Sequence, residues 1–260
     1  MDAMAIGCRM IHKETTGSTN LDAVSLAEEL PHGAVIWADA QSAGRGRRGR
    51  SWVSEPGMNL YFSLLLKPDF APEQASMLTL VMALAAAKGI ETVYGNGQPE
   101  IPKVGIKWPN DIVMNGRKVC GILTEMQAVP GKIKHVIIGV GINVNQLQFS
   151  QEGLAYASSL KKETGLEKDR EELLKAVLRQ FQDLYEEFCR AGTLAPMLEA
   201  YQSRLVNLKK EVQILDPKGA YQGVALGMNE KGELLVQKTD GTTEAVYAGE
   251  VSVRGLFGYV

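Results

Sequence analysis

Cysteine is scarce in this chain of 260 residues: only Cys8, Cys120 and Cys189 occur, an odd number set far apart. Such a set gives no disulfide framework and points to reduced thiols in a cytoplasmic protein. Histidine is equally sparse, and no C-x-x-C, H-x-x-H or H-E-x-x-H spacing occurs, so no tightly bound metal is expected. An excess of charge is missing too. With 28 Lys and Arg against 30 Asp and Glu the net charge is −2, whereas proteins that work by neutralising many phosphates are usually basic overall. The N-terminal MDAMAIGCRMIHKETTG has no basic segment followed by an apolar run, and no later stretch reads as the ~20 apolar residues of a bilayer span. Neither a signal peptide nor a membrane partner is therefore expected.

Against that even background one stretch stands out. Gly44 to Arg50 sets four arginines and three glycines within seven residues, and no acidic residue lies between Gln41 and Ser54. Glycine lets backbone N–H groups turn toward an oxyanion, and guanidinium forks grip phosphate or carboxylate through paired hydrogen bonds, so the stretch reads as a mobile anion-binding loop. Gly44, Gly46 and Gly49 spell G-x-G-x-x-G, and Gly44 to Ser51 imitates a P-loop with Arg50 in place of lysine. Both patterns need a helix to follow. Residues 51–68 read instead as a Pro-Gly turn and an apolar strand. A nucleic-acid patch is the other reading of the arginines, and the charge balance speaks against it.

In chain order, Ser18-Thr19-Asn20 precedes an apolar pattern that ends at Pro31, and Thr19 with Asp22 fits a capping box. These polar residues serve as helix caps, and can also face a polar ligand. Residues 33–40 and 58–66 read as strands, and 72–93 as an Ala/Leu/Met-rich helix packed against a sheet. In Lys107-Trp-Pro-Asn-Asp111 opposite charges flank a tryptophan, which on its own reads as a surface ion pair. Asn115-Gly116 closes a hairpin. Lys118 heads the strand 119–126, where a lone lysine is ordinarily a solvated end. Residues 134–145 form another strand on which Gly139 and Gly141 share a bare face. Residues 168–189 are an amphipathic helix, and 194–205 a second one. Beyond Asn207, short strands with tight turns indicate a small barrel. The expected division is 1–207 and 208–260.

Together, Ser18-Thr19-Asn20, the GRGRRGRSW loop, Lys107–Asp111, Lys118-Val-Cys-Gly-Ile-Leu-Thr-Glu125 and Gly139-Val-Gly-Ile-Asn143 resemble, in order and spacing, the catalytic domain of biotin protein ligases. The terminal strands resemble that family's SH3-like C-terminal domain. The resemblance implies an α+β fold, with a mixed central sheet flanked by helices as in class II synthetases, carrying the small barrel. It also implies an activity: biotin is joined to ATP as biotinyl-5′-AMP, then passed to a lysine of a biotin carboxyl carrier domain.

By the same resemblance, Lys118, Arg47 and Arg45 are catalytic. Ser18, Thr19, Asn20, Gln41, Gly46, Gly121, Gly139 and Gly141 join them in binding biotin. Arg50, Trp52, Lys107, Asp111, Asn143 and Arg254 face the nucleotide, with Mg²⁺ brought by ATP near Asp111. Where some members set a tryptophan against the adenine, this chain has Ala157-Ser-Ser-Leu160, with Tyr156 beside it. Only 17 residues precede Ser18, too few for the DNA-binding domain of members that also repress transcription. A ligase without DNA binding is expected, and a sheet edge offers it a route to a homodimer. The related lipoate and octanoyl transferases carry a glycine-rich signature with a histidine, whereas this chain has no histidine between His32 and His135.

Overall fold

The computed structural model describes residues 5–95, 101–149, 155–216, 219–248, 252–255 and 259. Strand β1 (Met10–Thr16) leads through helix α1 (Thr19–Ser25) to β2 (Val35–Gln41), which pairs with β1 in parallel. Strand β3 (Leu60–Leu66) runs antiparallel to β2. A 3₁₀ turn, Pro72–Met77, then opens into helix α2 (Leu78–Gly95). Four further strands, β4 (Gly105–Lys107), β5 (Asp111–Met114), β6 (Arg117–Val129) and β7 (Lys132–Ile142), complete a seven-stranded mixed sheet in the order β1-β2-β3-β7-β6-β5-β4.

Helices α3 (Leu160–Thr164), α4 (Arg170–Ala191) and α5 (Leu198–Gln202) follow. A second, antiparallel sheet is built from β8 (Glu211–Asp216), β9 (Gly219–Met228), β10 (Leu234–Lys238), β11 (Thr243–Val246) and β12 (Ser252–Gly255), in the order β11-β10-β9-β8-β12. The α+β class and the strand-built C-terminal part expected from the sequence are both found. Of the turns expected there, Asp216–Gly219 falls partly outside the described residues.

Side chains alternate between the faces of a sheet with period two, and here the two faces differ in kind. Phe62, Leu64 and Leu66 of β3 and Val136, Ile138, Val140 and Ile142 of β7 form one core with α2 and α4. Gly89 permits the close approach of these helices, because a Cβ there would stand 2.7 Å from a methyl of Val177. By length and composition residues 72–95 could cross a bilayer, contrary to the sequence reading, yet most of that stretch is buried. The opposite face carries Tyr61, Ser63 and Leu65 of β3, with Gly141, Gly139 and Ile137 paired beside them on β7 and Gly121, Leu123 and Glu125 beyond on β6. Helix α1 and the turn after it pack on the Leu65 and Ile137 end through Ala23 and Ala27, while the start of α1 reaches Ser63 and Gly139 through Asn20. The rest of that face is the floor of a cleft.

Two helix expectations need correction. The Thr19/Asp22 capping box does not form: Ser18 is the N-cap and makes no side-chain cap bond. The Asp22 carboxylate instead accepts from the Thr16 hydroxyl at 2.6 Å and pairs with Lys13 at 3.0 Å, partners on β1 that outcompete the helix start. The helix also ends at Ser25, and the apolar pattern continues to Leu30 through turns such as Ala27 N–H to Val24 O. The segment 194–205 likewise starts as a 3₁₀ turn, Ala195–Met197, around Pro196, which has no N–H to give, and only five residues of α-helix follow.

Candidate active site

The first wall of the cleft is the start of α1. The Thr19 backbone N–H donates to Gln41 Oε1 at 2.9 Å, so a free donor of the helix start is met by β2. Gln41 in turn donates from Nε2 to Ser54 Oγ at 3.1 Å, which fixes the polarity of its amide. Ser63, buried at the middle of β3, donates to Asn20 Oδ1 at 2.6 Å and lies 2.8 Å from Thr19 Oγ1. Asn20 Nδ2 donates to Glu125 Oε2 at 2.8 Å. Gly139 is required by this packing, since a Cβ there would fall 2.0 Å from Asn20 Oδ1.

The second wall is the arginine stretch. Its glycines suggested a mobile loop; the structure shows a small hairpin, with an Arg45–Ser51 bridge and bonds from Gly46 N–H to Arg50 O (2.7 Å) and Trp52 N–H to Gly44 O (2.8 Å). Only a single 3₁₀ turn, Arg47–Gly49, stands where a nucleotide motif needs a helix, and Arg48 inside it has φ 58. Trp52 lies flat on the glycine floor: a Cβ at Gly141 would meet its Cε2 at 2.5 Å, and one at Gly121 its Cζ3 at 2.6 Å. Arg45 pairs with Glu125 at 2.9 Å. Arg47 donates to Asn110 Oδ1 and to the Ala248 carbonyl, both at 2.8 Å, tying the loop to the segment that follows β11.

The third wall holds the lysines. Lys118 Nζ sits 2.6 Å from Asp111 Oδ1 and 5.3 Å from the centre of the Trp52 ring. The Asp111 side chain is 13% exposed; burial opposes its charge, but Lys118, the Tyr259 hydroxyl at 2.5 Å and Lys107 together hold the carboxyl below its usual pKa. Tyr259 therefore titrates well above the usual phenol, through burial and then Asp111. Lys107, 6% exposed, lies 3.6 Å over the Tyr259 ring. Burial pushes its ammonium down to about 8, against the pull of Asp111 and with a further push from Lys118, Arg254 and Arg50. The tryptophan motif is thus not a surface pair of Lys107 with Asp111: the carboxylate goes to Lys118 across the β5–β6 hairpin.

In this cleft polar groups from three walls converge over an apolar, glycine-bearing floor, the character of a small-molecule site. Residues 9–143 match the sequence profile of the biotin/lipoate A/B protein ligase family, and residues 208–254 that of the biotin protein ligase C-terminal domain. The chain belongs to this family. Among relatives, the bifunctional ligase/repressor BirA of Bacillus subtilis is 35% identical over 95% of this chain and 75% of its own. The biotin--[acetyl-CoA-carboxylase] ligase of Paracoccus denitrificans is 31% identical over 92% of this chain and 98% of its own. Among solved structures, the biotin protein ligase from Aquifex aeolicus in complex with biotin and ATP aligns with a TM-score of 0.81 at 31% identity, covering 95% of this chain and 99% of that one.

In this family member most residues singled out from the sequence meet in one cleft: Ser18, Thr19, Asn20, Gln41, Arg45, Gly46, Arg47, Trp52, Lys118, Gly121, Gly139 and Gly141. Lys107 and Asp111 adjoin it beside Lys118. Arg50 and Arg254 are exposed and bear on Lys107 and Tyr259 by charge. Asn143 is not part of the cleft wall. It is buried, and its Nδ2 donates to the Ser158 carbonyl at 2.9 Å, holding in place the segment that also pairs with Lys118 through Ala157.

Sequence reasoning missed Ser63, Asn110, Glu125 and Tyr259. A lone serine inside the run Leu60–Leu66 needs a buried partner, and that was a usable signal. Replacing Ser63 with alanine leaves Asn20 Oδ1 without its donor; the expected result is a KM for biotin raised about fivefold to tenfold, the effect of a typical hydrogen bond. Steady-state pyrophosphate release measures it.

Proposed function

We propose that this chain is a biotin protein ligase that converts biotin and ATP to biotinyl-5′-AMP and pyrophosphate, then transfers biotin to a lysine of a biotin carboxyl carrier domain. The observation that carries the reading is one cleft with two chemically distinct ends. At one end neutral donors and acceptors from Ser18, Thr19, Asn20 and Gln41 converge beside a glycine floor. At the other, Lys118, Lys107 and Arg47 gather round a single carboxylate. The first end suits a neutral ring bearing N–H and C=O groups, and the second a polyphosphate.

In the first step an oxygen of the biotin carboxylate attacks the α-phosphorus, a C–O–P bond forms, and the bond to pyrophosphate breaks. Two anions must approach each other, so cations placed before the reaction lower the barrier without later reorganisation. Lys118 is the group for that place, and Arg47 the second. Mg²⁺ would travel with ATP, and Asp111, beside Lys118, is the carboxylate at that end of the cleft. In the second step a neutral lysine amine of the carrier attacks the acyl carbon, AMP leaves and a proton is released. The arginine hairpin, lying across the cleft, keeps water from the mixed anhydride meanwhile.

The deciding measurement is pyrophosphate release with ATP and either biotin or lipoate, followed by mass spectrometry of a carrier domain. Release with biotin and a carrier bearing one biotin are expected; release with lipoate alone would end the reading in favour of the lipoate branch.

The buried lysine adds a pH dependence. Lys107 keeps its charge below about pH 8 and loses it above. A triphosphate beside it favours the charged form, so ATP binding takes up a proton and affinity falls as pH rises through 8. Calorimetric titration between pH 7 and 9.5 should show that fall in the wild type and little of it in Lys107→Arg, which stays charged. A flat wild-type profile would remove Lys107 from the phosphate end.

A further inference from the structure

Glu125 stands on the glycine-bearing face of β6, four residues along from Gly121 and two from Leu123, where alternation points all three toward the cleft. It is the one acidic side chain on that stretch of floor among the described residues, and both its oxygens are engaged. Oε1 lies 2.9 Å from Arg45 Nη2, while Oε2 accepts from Arg45 Nη1 at 3.2 Å and from Asn20 Nδ2 at 2.8 Å. Asn20 Oδ1 is taken by Ser63 at 2.6 Å. The Asn20 amide therefore cannot flip without losing both partners. The Arg45 fork is likewise committed to a carboxylate of the protein, and a bidentate pair fixes orientation as well as distance.

We propose that Glu125 is a positioning residue for the biotin end of the cleft: it joins the arginine hairpin and the start of α1 into one frame. Arg45 then contributes through its place in the hairpin rather than as a grip on substrate phosphate, and Arg47 remains the loop cation beside Asn110 and Lys118. The ion pair alone would contribute little, since its side chains are 42% and 30% exposed. Its effect lies in geometry, because the same carboxylate also orients Asn20. The kinetic part of the proposal rests on the ligase reading; the structural part does not.

Two variants test it. Glu125→Gln keeps the shape and an acceptor for Asn20 but removes the charge facing Arg45; Glu125→Ala removes both. Limited trypsin digestion of the protein alone, with mass spectrometry of cuts between residues 45 and 50, should show cleavage about fivefold faster in Glu125→Gln, the scale of a partly exposed ion pair, and faster still in Glu125→Ala. The KM for biotin should rise about fivefold to tenfold while kcat stays within about twofold, and Glu125→Asp should recover part of the loss. Unchanged cleavage and KM in both variants, with melting curves of the wild type, would overturn the proposal. So would a fall in kcat with the hairpin still protected, which assigns Glu125 to the chemistry instead. Should the wild type release no pyrophosphate with biotin, the ligase reading fails while the digestion still judges the frame.

Discussion

Lys118→Ala is expected to slow biotinyl-AMP formation by about a hundredfold to a thousandfold, the range for losing one charged donor aimed at a transition state. The loss should fall on kcat more than on KM for biotin, because the contact matters most while negative charge passes to the leaving pyrophosphate. One complication follows from the geometry. Lys118 is also the ion-pair partner of Asp111, 2.6 Å away and largely buried, and an unpaired buried carboxylate is costly. The single variant should therefore also melt earlier. Adding Asp111→Asn and using Lys118→Met removes both charges and keeps the volume; that double variant should regain most of the stability and none of the activity. Single-turnover rates with a thermal melt distinguish the two effects. If the double variant recovered activity along with stability, Lys118 would be a structural lysine only.

The largest effect on stability should come from Trp108→Ala. Trp108 is among the largest fully buried side chains; its Nε1 donates to Gly232 O at 3.0 Å, and its backbone N–H donates to Asn207 Oδ1 at 3.0 Å. It thereby packs the β4–β5 turn of the first sheet against the turn preceding β10 of the second. Emptying such a site costs about 3–5 kcal/mol, which in a chain of this size lowers Tm by roughly 10 °C. Trp108→Phe, keeping the ring but not the indole N–H, should lose only about 1–2 kcal/mol. Equal melting of the two variants would show that the Gly232 bond, rather than packing, dominates.

What could be read from the sequence was what is local or periodic. Ser18-Thr19-Asn20 announced itself by standing before an apolar helix pattern, and Gly139 with Gly141 by a spacing of two on a strand. The floor of the cleft was legible for the same reason. What escaped depends on pairing between distant strands. Nothing near Glu125 in the chain indicates Asn20 or Arg45, which are brought to it by the order β2-β3-β7-β6. Asp111 was matched to Lys107 because they are four residues apart, yet the hairpin offered it Lys118. Tyr259 lies near the end of a segment with no periodic pattern, and only the return of the second sheet toward the first brings it to Asp111. Asn143, whose motif implied a nucleotide contact, also holds the backbone of Ser158, a role that motif spacing does not show.

The turn at Asn115-Gly116 does not line the cleft, and yet it helps decide what the cleft wall is made of. Both its residues have positive φ, 48 and 73, the pattern of a two-residue hairpin turn, and together with the register shift between Ile112 and Val113 it sets which residues of β5 and β6 face each other. A slip of one residue in β6 would turn Cys120, Ile122 and Thr124 toward the cleft and send Gly121, Leu123 and Glu125 into the core under α2. The bare floor under Trp52 would then be filled by side chains, and a carboxylate would lie among hydrocarbons. Selectivity for the ligand is in that sense written partly in a surface turn remote from it, as an instruction about register rather than about contact.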